Sequence, residues 1–227
     1  LGVGPTAELA WDPDRAMLFA SPGIGTAGYA PLRWWRPDGL EADGSLEFTV
    51  SDVNTYVPYA IVRGMALSSD RSRLYVTIDQ YDSVLAAYSG SISIQGAVLL
   101  ALDITTNVLG QVSLRPARAV PLGGGLGHVA VVPRPGKRDL LVLPDTTGHK
   151  VHVYDDEVGG FVTSFGRDAL GRPIFREPFA VASQARGDGG WRVWVASFHD
   201  GTLTAIEFDD PNLPGAARIG KRIGNSE

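Results

Sequence analysis

The chain has 227 residues, and 44% of them are hydrophobic, which excludes a disordered chain and allows a sizeable core. The high numbers of glycine (28) and proline (15) indicate many turns. The net charge of −5 argues against a nucleic-acid-binding surface, and the lack of cysteine excludes disulfides, thiolate metal sites and a cysteine nucleophile. No apolar run is long enough to cross a membrane.

Four segments of the chain share one pattern. Each begins with a short apolar strand, crosses a polar turn and enters a strongly β-prone strand, and two further strands follow. Four antiparallel strands in each repeat are typical of a β-propeller blade. We therefore predict an all-β fold, with residues 1–227 forming a single β-propeller domain or a segment of a larger propeller. The predicted four-stranded blades cover approximately residues 8–50, 64–115, 128–166 and 179–220.

Long connections separate some of the predicted strands. The segment Asp79–Gly96 is too long for a tight hairpin, so we expect it to form a projecting loop or an extra ribbon. The connections Ala117–Gly127 and Gly166–Pro178 join successive blades and are also long. Ligands of repeat proteins often bind at such loops, so these connections predict a functional face at one end of the blades.

Short motifs in the second segment resemble a known repeat. The runs Leu74–Thr77, Leu102–Asn107 and Gly110–Val112 are similar to the YVTN repeat of β-propellers related to the YncE and lactonase-like groups. The resemblance implies an exported protein, because that class includes periplasmic, secreted and cell-surface binding proteins, with a few enzymes among them. Such propellers usually have about seven blades, so it leaves two alternatives: a small four-bladed ring, or part of a larger propeller.

The sequence contains no strong catalytic signature. The run Gly23–Gly28 matches G-x-G-x-x-G, but the prolines and aromatic residues after it indicate no helix, so we interpret it as a loop. No serine has the neighbours of an activated nucleophile. We therefore expect a non-catalytic scaffold with no cofactor and no resident metal, which binds a protein or a small ligand through its loops.

Candidate ligand-binding residues lie at the predicted loop end of the blades. They are Arg63, Tyr81, His128, Asp145, His149, Arg176, His199 and Asp200. An alternative function is a propeller enzyme, either lactonase-like or metal-assisted, because imidazole and carboxylate groups suit both zinc and acid–base chemistry. In the metal-assisted version, His128, His149 and His199 would act together with Asp145 or Asp200.

The expected partners and location follow from these interpretations. We expect a protein partner or a larger complex, no nucleic acid, and a periplasmic, cell-surface or secreted location. The amino terminus shows neither an initiator methionine nor a leader sequence, so an upstream segment or a lipid anchor is expected beyond this sequence. A blade set completed by other chains of a complex is a further alternative.

Overall fold

The fold was analysed in a computed structural model, which describes residues 8–21, 32–37, 44–46, 60–80, 97–122 and 125–224. These residues form four separate four-stranded antiparallel sheets, and each sheet follows the strand order of the chain. This arrangement confirms the predicted all-β fold and its four β-propeller blades. The chain divides into two compact units, residues 1–123 and 124–227, with two blades in each.

Unit 1 contains the first two blades. Blade 1 is formed by β1 (Glu8–Asp12), β2 (Met17–Ser21), β3 (Leu32–Trp35) and β4 (Gly44–Leu46). Blade 2 is formed by β5 (Ala60–Leu67), β6 (Arg73–Gln80), β7 (Ala97–Thr106) and β8 (Val112–Leu122). Alternate side chains along each strand point to the same face of its sheet. One face of each of these two sheets therefore contributes to a shared core that includes Phe19, Trp34, Leu74 and Leu102.

Unit 2 contains the other two blades. Blade 3 is formed by β9 (Ala130–Val132), β10 (Leu140–Asp145), β11 (Lys150–Asp155) and β12 (Gly160–Phe165). Blade 4 is formed by β13 (Pro178–Ala185), β14 (Trp191–Ser197), β15 (Thr202–Phe208) and β16 (Arg218–Ile223), with a short 3₁₀ helix, Pro214–Ala216, before the last strand. Fully buried residues of both blades, among them Val142, Val153, Val195 and Ile206, pack into one core with Phe175 from the connection between the blades.

A buried ion pair fixes the turns at one end of blade 3. Arg134, in the β9–β10 turn, donates hydrogen bonds from Nη1 and Nη2 to the two carboxylate oxygens of Asp155, at 2.9 and 2.5 Å. Asp155 also accepts the backbone N–H of Glu157 in the following turn. Burial raises the pKa of Asp155, but the hydrogen bonds from Arg134 and the backbone outweigh this effect and hold the pKa below its usual range.

The second blade is longer than predicted. Its strands run from Ala60 to Leu122, whereas the predicted blade covers residues 64–115. The difference arises because β5 and β8 continue past the polar residues at which the sequence pattern weakens. The G-x-G-x-x-G match at Gly23–Gly28 and residues 81–96 of the predicted projecting loop lie outside the described residues. Within the described residues, no helix combines the length and the apolar character that a membrane crossing requires.

Candidate functional site

The candidate site lies where three connections of unit 2 meet. These are the β10–β11 turn, the β12–β13 connection that joins the two blades, and the β14–β15 turn. Antiparallel hairpins place alternate turns at the same end of a sheet, so the β10–β11 and β14–β15 turns share one end of their blades. The residues that precede β9 arrive at this end as well.

Backbone hydrogen bonds tie these connections together. The imidazole Nδ1 of His149 accepts the backbone N–H of Glu177 at 3.1 Å, and the Glu177 carbonyl accepts the N–H of Phe198 at 3.0 Å. The Thr146 hydroxyl donates to the Pro178 carbonyl at 2.8 Å. Both His149 and Glu177 have positive φ angles of 53°, a conformation that non-glycine residues adopt when surrounding contacts impose it. The junction between blades 3 and 4 is therefore closely defined.

A cleft of about 820 Å³ opens beside this junction. We call it the Arg176 cleft. Its lining residues are Asp168, Arg172, Pro173, Ile174, Arg176, His199, Asp200, Thr204, Ile219 and Arg222. The volume lies within the range of about 300–1,000 Å³ that is common for small-molecule sites.

The charged residues of the cleft form two ion pairs. Arg172 donates to Asp168 at 2.8 Å, and Arg222 donates to Asp200 at 2.6 Å. The backbone N–H of Arg172, followed by smaller contributions that include the guanidinium group of the same residue, holds the pKa of Asp168 below its usual range. Arg176 is exposed and forms no ion pair or hydrogen bond with any residue that the structure describes. Three arginines against two aspartates leave the cleft with one net positive charge.

A buried threonine also borders the cleft. Thr204 lies in β15 with no exposed surface, and its Oγ1 has no hydrogen-bond partner. Two residues earlier in the same strand, the equally buried Thr202 donates its hydroxyl to Asp200 at 2.8 Å. Buried side-chain hydroxyls in proteins usually have a partner, and Thr204 shares this unpaired state with other buried groups of the described residues, among them the Ser197 hydroxyl.

Two of the predicted residues, His128 and Asp145, do not line the cleft. His128 is half-buried, and its ring packs 5.1 Å from the ring of Phe179. Asp145 is buried and accepts the backbone N–H of Gly148 at 2.7 Å. Burial raises the pKa of Asp145, but the imidazole of His152 and the other donors outweigh it and keep the pKa below its usual range. This environment suits a carboxylate that stabilises a turn.

The remaining six predicted residues lie in different parts of the molecule. Arg176, His199 and Asp200 line the cleft together, whereas His149 contributes through its hydrogen bond to Glu177. Arg63 is half-buried in β5 and belongs to unit 1, and Tyr81 lies outside the described residues. Among the residues that the structure describes, no group of three or more histidine or acidic side chains is arranged to hold a metal ion. The cleft is also lined by four residues that the sequence pattern did not predict, which are Asp168, Arg172, Thr204 and Arg222.

Comparisons with known proteins show a similarity of fold. No protein-family model matches the chain, and no curated protein matches its sequence. A solved structure from Bacteroides fragilis, provisionally named a 6-phosphogluconolactonase, superposes with a TM-score of 0.62 at 12% identity and 99% coverage of this chain. The periplasmic gluconolactonase of Pseudomonas aeruginosa superposes with a TM-score of 0.60 at 16% identity and 97% coverage. The chain spans 58% of the length of each of these two proteins.

Proposed function

We propose that this protein is an exported, non-catalytic binding protein that holds a small polar ligand in the Arg176 cleft. The observation that carries the proposal is the cleft itself, a space of about 820 Å³ lined by two ion-paired arginines and by Arg176, whose guanidinium group has no partner among the described residues. A guanidinium group with available donors can form charge-assisted hydrogen bonds to a polar ligand. An exported location is supported by the YVTN-like motifs and by the periplasmic location named for one protein of similar fold.

Binding without catalysis is supported by the state of the acidic groups. A general base needs a carboxylate or an imidazole that is oriented by a partner and free to exchange a proton with the substrate. Both carboxylates of the cleft are instead held by arginines, and the lowered pKa of Asp168 makes that carboxylate a weaker base. His199 is exposed and has no hydrogen-bond partner among the described residues to orient its ring.

The proposal is tested by saturation-transfer NMR with a defined mixture of sugars, amino acids and organic acids. Pro173→Trp places a large ring in the cleft, and it removes no backbone donor because proline has none. Leu170→Trp is the matched control, because Leu170 is exposed on the same connection and does not line the cleft. We expect at least one compound to show saturation transfer with wild type and Leu170→Trp that disappears with Pro173→Trp. Transfer that is insensitive to Pro173→Trp for every compound would contradict the proposal.

A second candidate function is lactone hydrolysis. It is favoured by the names of the two proteins of similar fold, both of which are named as lactonases. His199 is then the only group in the described part of the cleft without a fixed partner that could assist the attack of water on a lactone carbonyl. The test is the hydrolysis of glucono-1,5-lactone, followed by acid release at constant pH. A rate above the spontaneous one that is lost in His199→Ala would establish this activity in place of simple binding.

A further inference from the structure

The uncompensated positive charge of the cleft specifies the class of ligand. Asp168 and Asp200 each hold one arginine in place and neutralise most of its charge. Arg176 has no such carboxylate among the described residues, and Glu177, the acidic residue next to it in the chain, does not line the cleft. The guanidinium group of Arg176 therefore has its donors available for a ligand.

The position of Arg176 is fixed although its side chain is exposed. Phe175, the preceding residue, is fully buried in the core of unit 2. The backbone of Glu177, the following residue, donates to His149 and accepts from Phe198. Because both neighbours are anchored, the backbone of Arg176 has a defined position at the cleft. This reduces the entropic cost of ordering the site when a ligand binds.

Other groups of the cleft complement an anion that carries a carbon skeleton. The exposed imidazole of His199 adds hydrogen-bonding atoms, while Ile174 and Ile219 supply apolar surface. Guanidinium groups bind carboxylate and phosphate oxygens with paired hydrogen bonds that are stronger than those between neutral groups. The cleft is far larger than an inorganic anion requires, so the apolar surface would contact the rest of an organic ligand.

We infer that the Arg176 cleft binds a small organic oxyanion, a carboxylate or a phosphate ester, with the exposed Arg176 guanidinium as its principal anchor. The inference rests on the proposed function, since it names the chemical class of the ligand held in the same cleft. It assigns Arg172 and Arg222 a supporting role, because their guanidinium groups are already engaged by Asp168 and Asp200.

The test uses three probes with closely related carbon skeletons, which are glucose, gluconate and glucose 6-phosphate. Titration calorimetry at low salt measures the affinity of each probe for the intact chain. We expect at least one anion to bind about tenfold more tightly than glucose and to weaken as added salt screens the charge. The comparison of gluconate with glucose 6-phosphate decides between the carboxylate and the phosphate ester.

Arg176→Gln tests the anchor, and Lys137→Gln is its matched control. Both substitutions remove one exposed positive charge, but Lys137 lies in the β9–β10 turn at the opposite end of blade 3. We expect Arg176→Gln to weaken the anion about tenfold or more, Arg176→Lys to restore part of the loss, and Lys137→Gln to change nothing. The unfolding midpoint of Arg176→Gln should equal that of wild type, because the side chain has no partner to lose.

The outcomes separate the inference from the proposed function. If glucose binds as tightly as both anions and Pro173→Trp abolishes its binding, the cleft is a ligand site and the oxyanion inference is overturned. Anion binding that survives Arg176→Gln unchanged would overturn the anchor role. If neither anion binds at about 10 mM, a concentration at which even weak specific sites fill, the inference is also overturned. Ligands found by the NMR test would then decide the proposed function separately.

Discussion

Replacing Thr204 by valine should stabilise the ligand-free protein, which is unusual for a substitution in a buried strand. The hydroxyl has no partner, so the folded state carries the cost of removing it from water, about 1–3 kcal/mol. Valine has nearly the same shape and a higher preference for strands, so we expect the free energy of unfolding to rise by about 1 kcal/mol. Urea denaturation monitored by tryptophan fluorescence measures this change.

Thr202→Val is the matched control for this substitution. Thr202 lies in the same strand, points to the same face and is equally buried, but its hydroxyl donates to Asp200 and accepts from Arg222. Its loss should lower the free energy of unfolding by about 1 kcal/mol, since the partners keep their cost of burial. If Thr204→Val destabilised the protein as much as Thr202→Val, the Thr204 hydroxyl would have a hydrogen-bond partner in solution, and the expected gain in stability would be refuted.

Three further substitutions test the charges and the packing. Asp200→Asn removes a negative charge from the cleft, so anion affinity by calorimetry should rise about fivefold, and an unchanged affinity would exclude the electrostatic argument. Asp155→Ala leaves the buried Arg134 unpaired and should cost about 3–5 kcal/mol in urea denaturation. Folding lowers the pKa of Asp155, so the ion pair stabilises the wild-type protein at pH values above the pKa of the unfolded state. This contribution should disappear as the pH falls through the pKa of the folded state. A difference in stability between wild type and Asp155→Ala that did not shrink in acid would contradict this expectation. A β-carbon at Gly127 would overlap the Phe179 carbonyl oxygen, so Gly127→Ala should lower the thermal midpoint, and an unchanged midpoint would show that this contact relaxes freely.

The blades were predictable because short local patterns of residues indicate β-strands. Alternation of apolar and polar residues fixes which face of a strand is buried, and turn residues fix where it ends, so β10, β11, β14 and β15 follow from short stretches of sequence. Antiparallel hairpins then place alternate turns at one end. This reasoning brought His199, Asp200 and Arg176 to the same end of unit 2, where the structure also places them.

The composition of the cleft was not predictable, because it depends on pairings between distant residues. Arg222 meets Asp200 across 22 positions of the chain. A register shift in the β15–β16 pairing, between Thr204 and Ile206, places Arg222 opposite Thr204. Such shifts leave little trace in a single sequence. Nor could the sequence show that Thr204 is unsatisfied while Thr202 is paired, since both look like ordinary strand threonines.

The ion pairs of the cleft explain how a chain with a net negative charge can hold an anion. An isolated cluster of three arginines would repel itself and would attract any anion through long-range charge alone. By engaging Arg172 and Arg222, Asp168 and Asp200 reduce this repulsion and hold their arginines in place before a ligand arrives. Recognition of the anion then depends mainly on one guanidinium group, that of Arg176, whose neighbours in the chain are both anchored. A site built in this way gains affinity from preorganisation and specificity from geometry, which suits selective binding better than the proton transfers of hydrolysis.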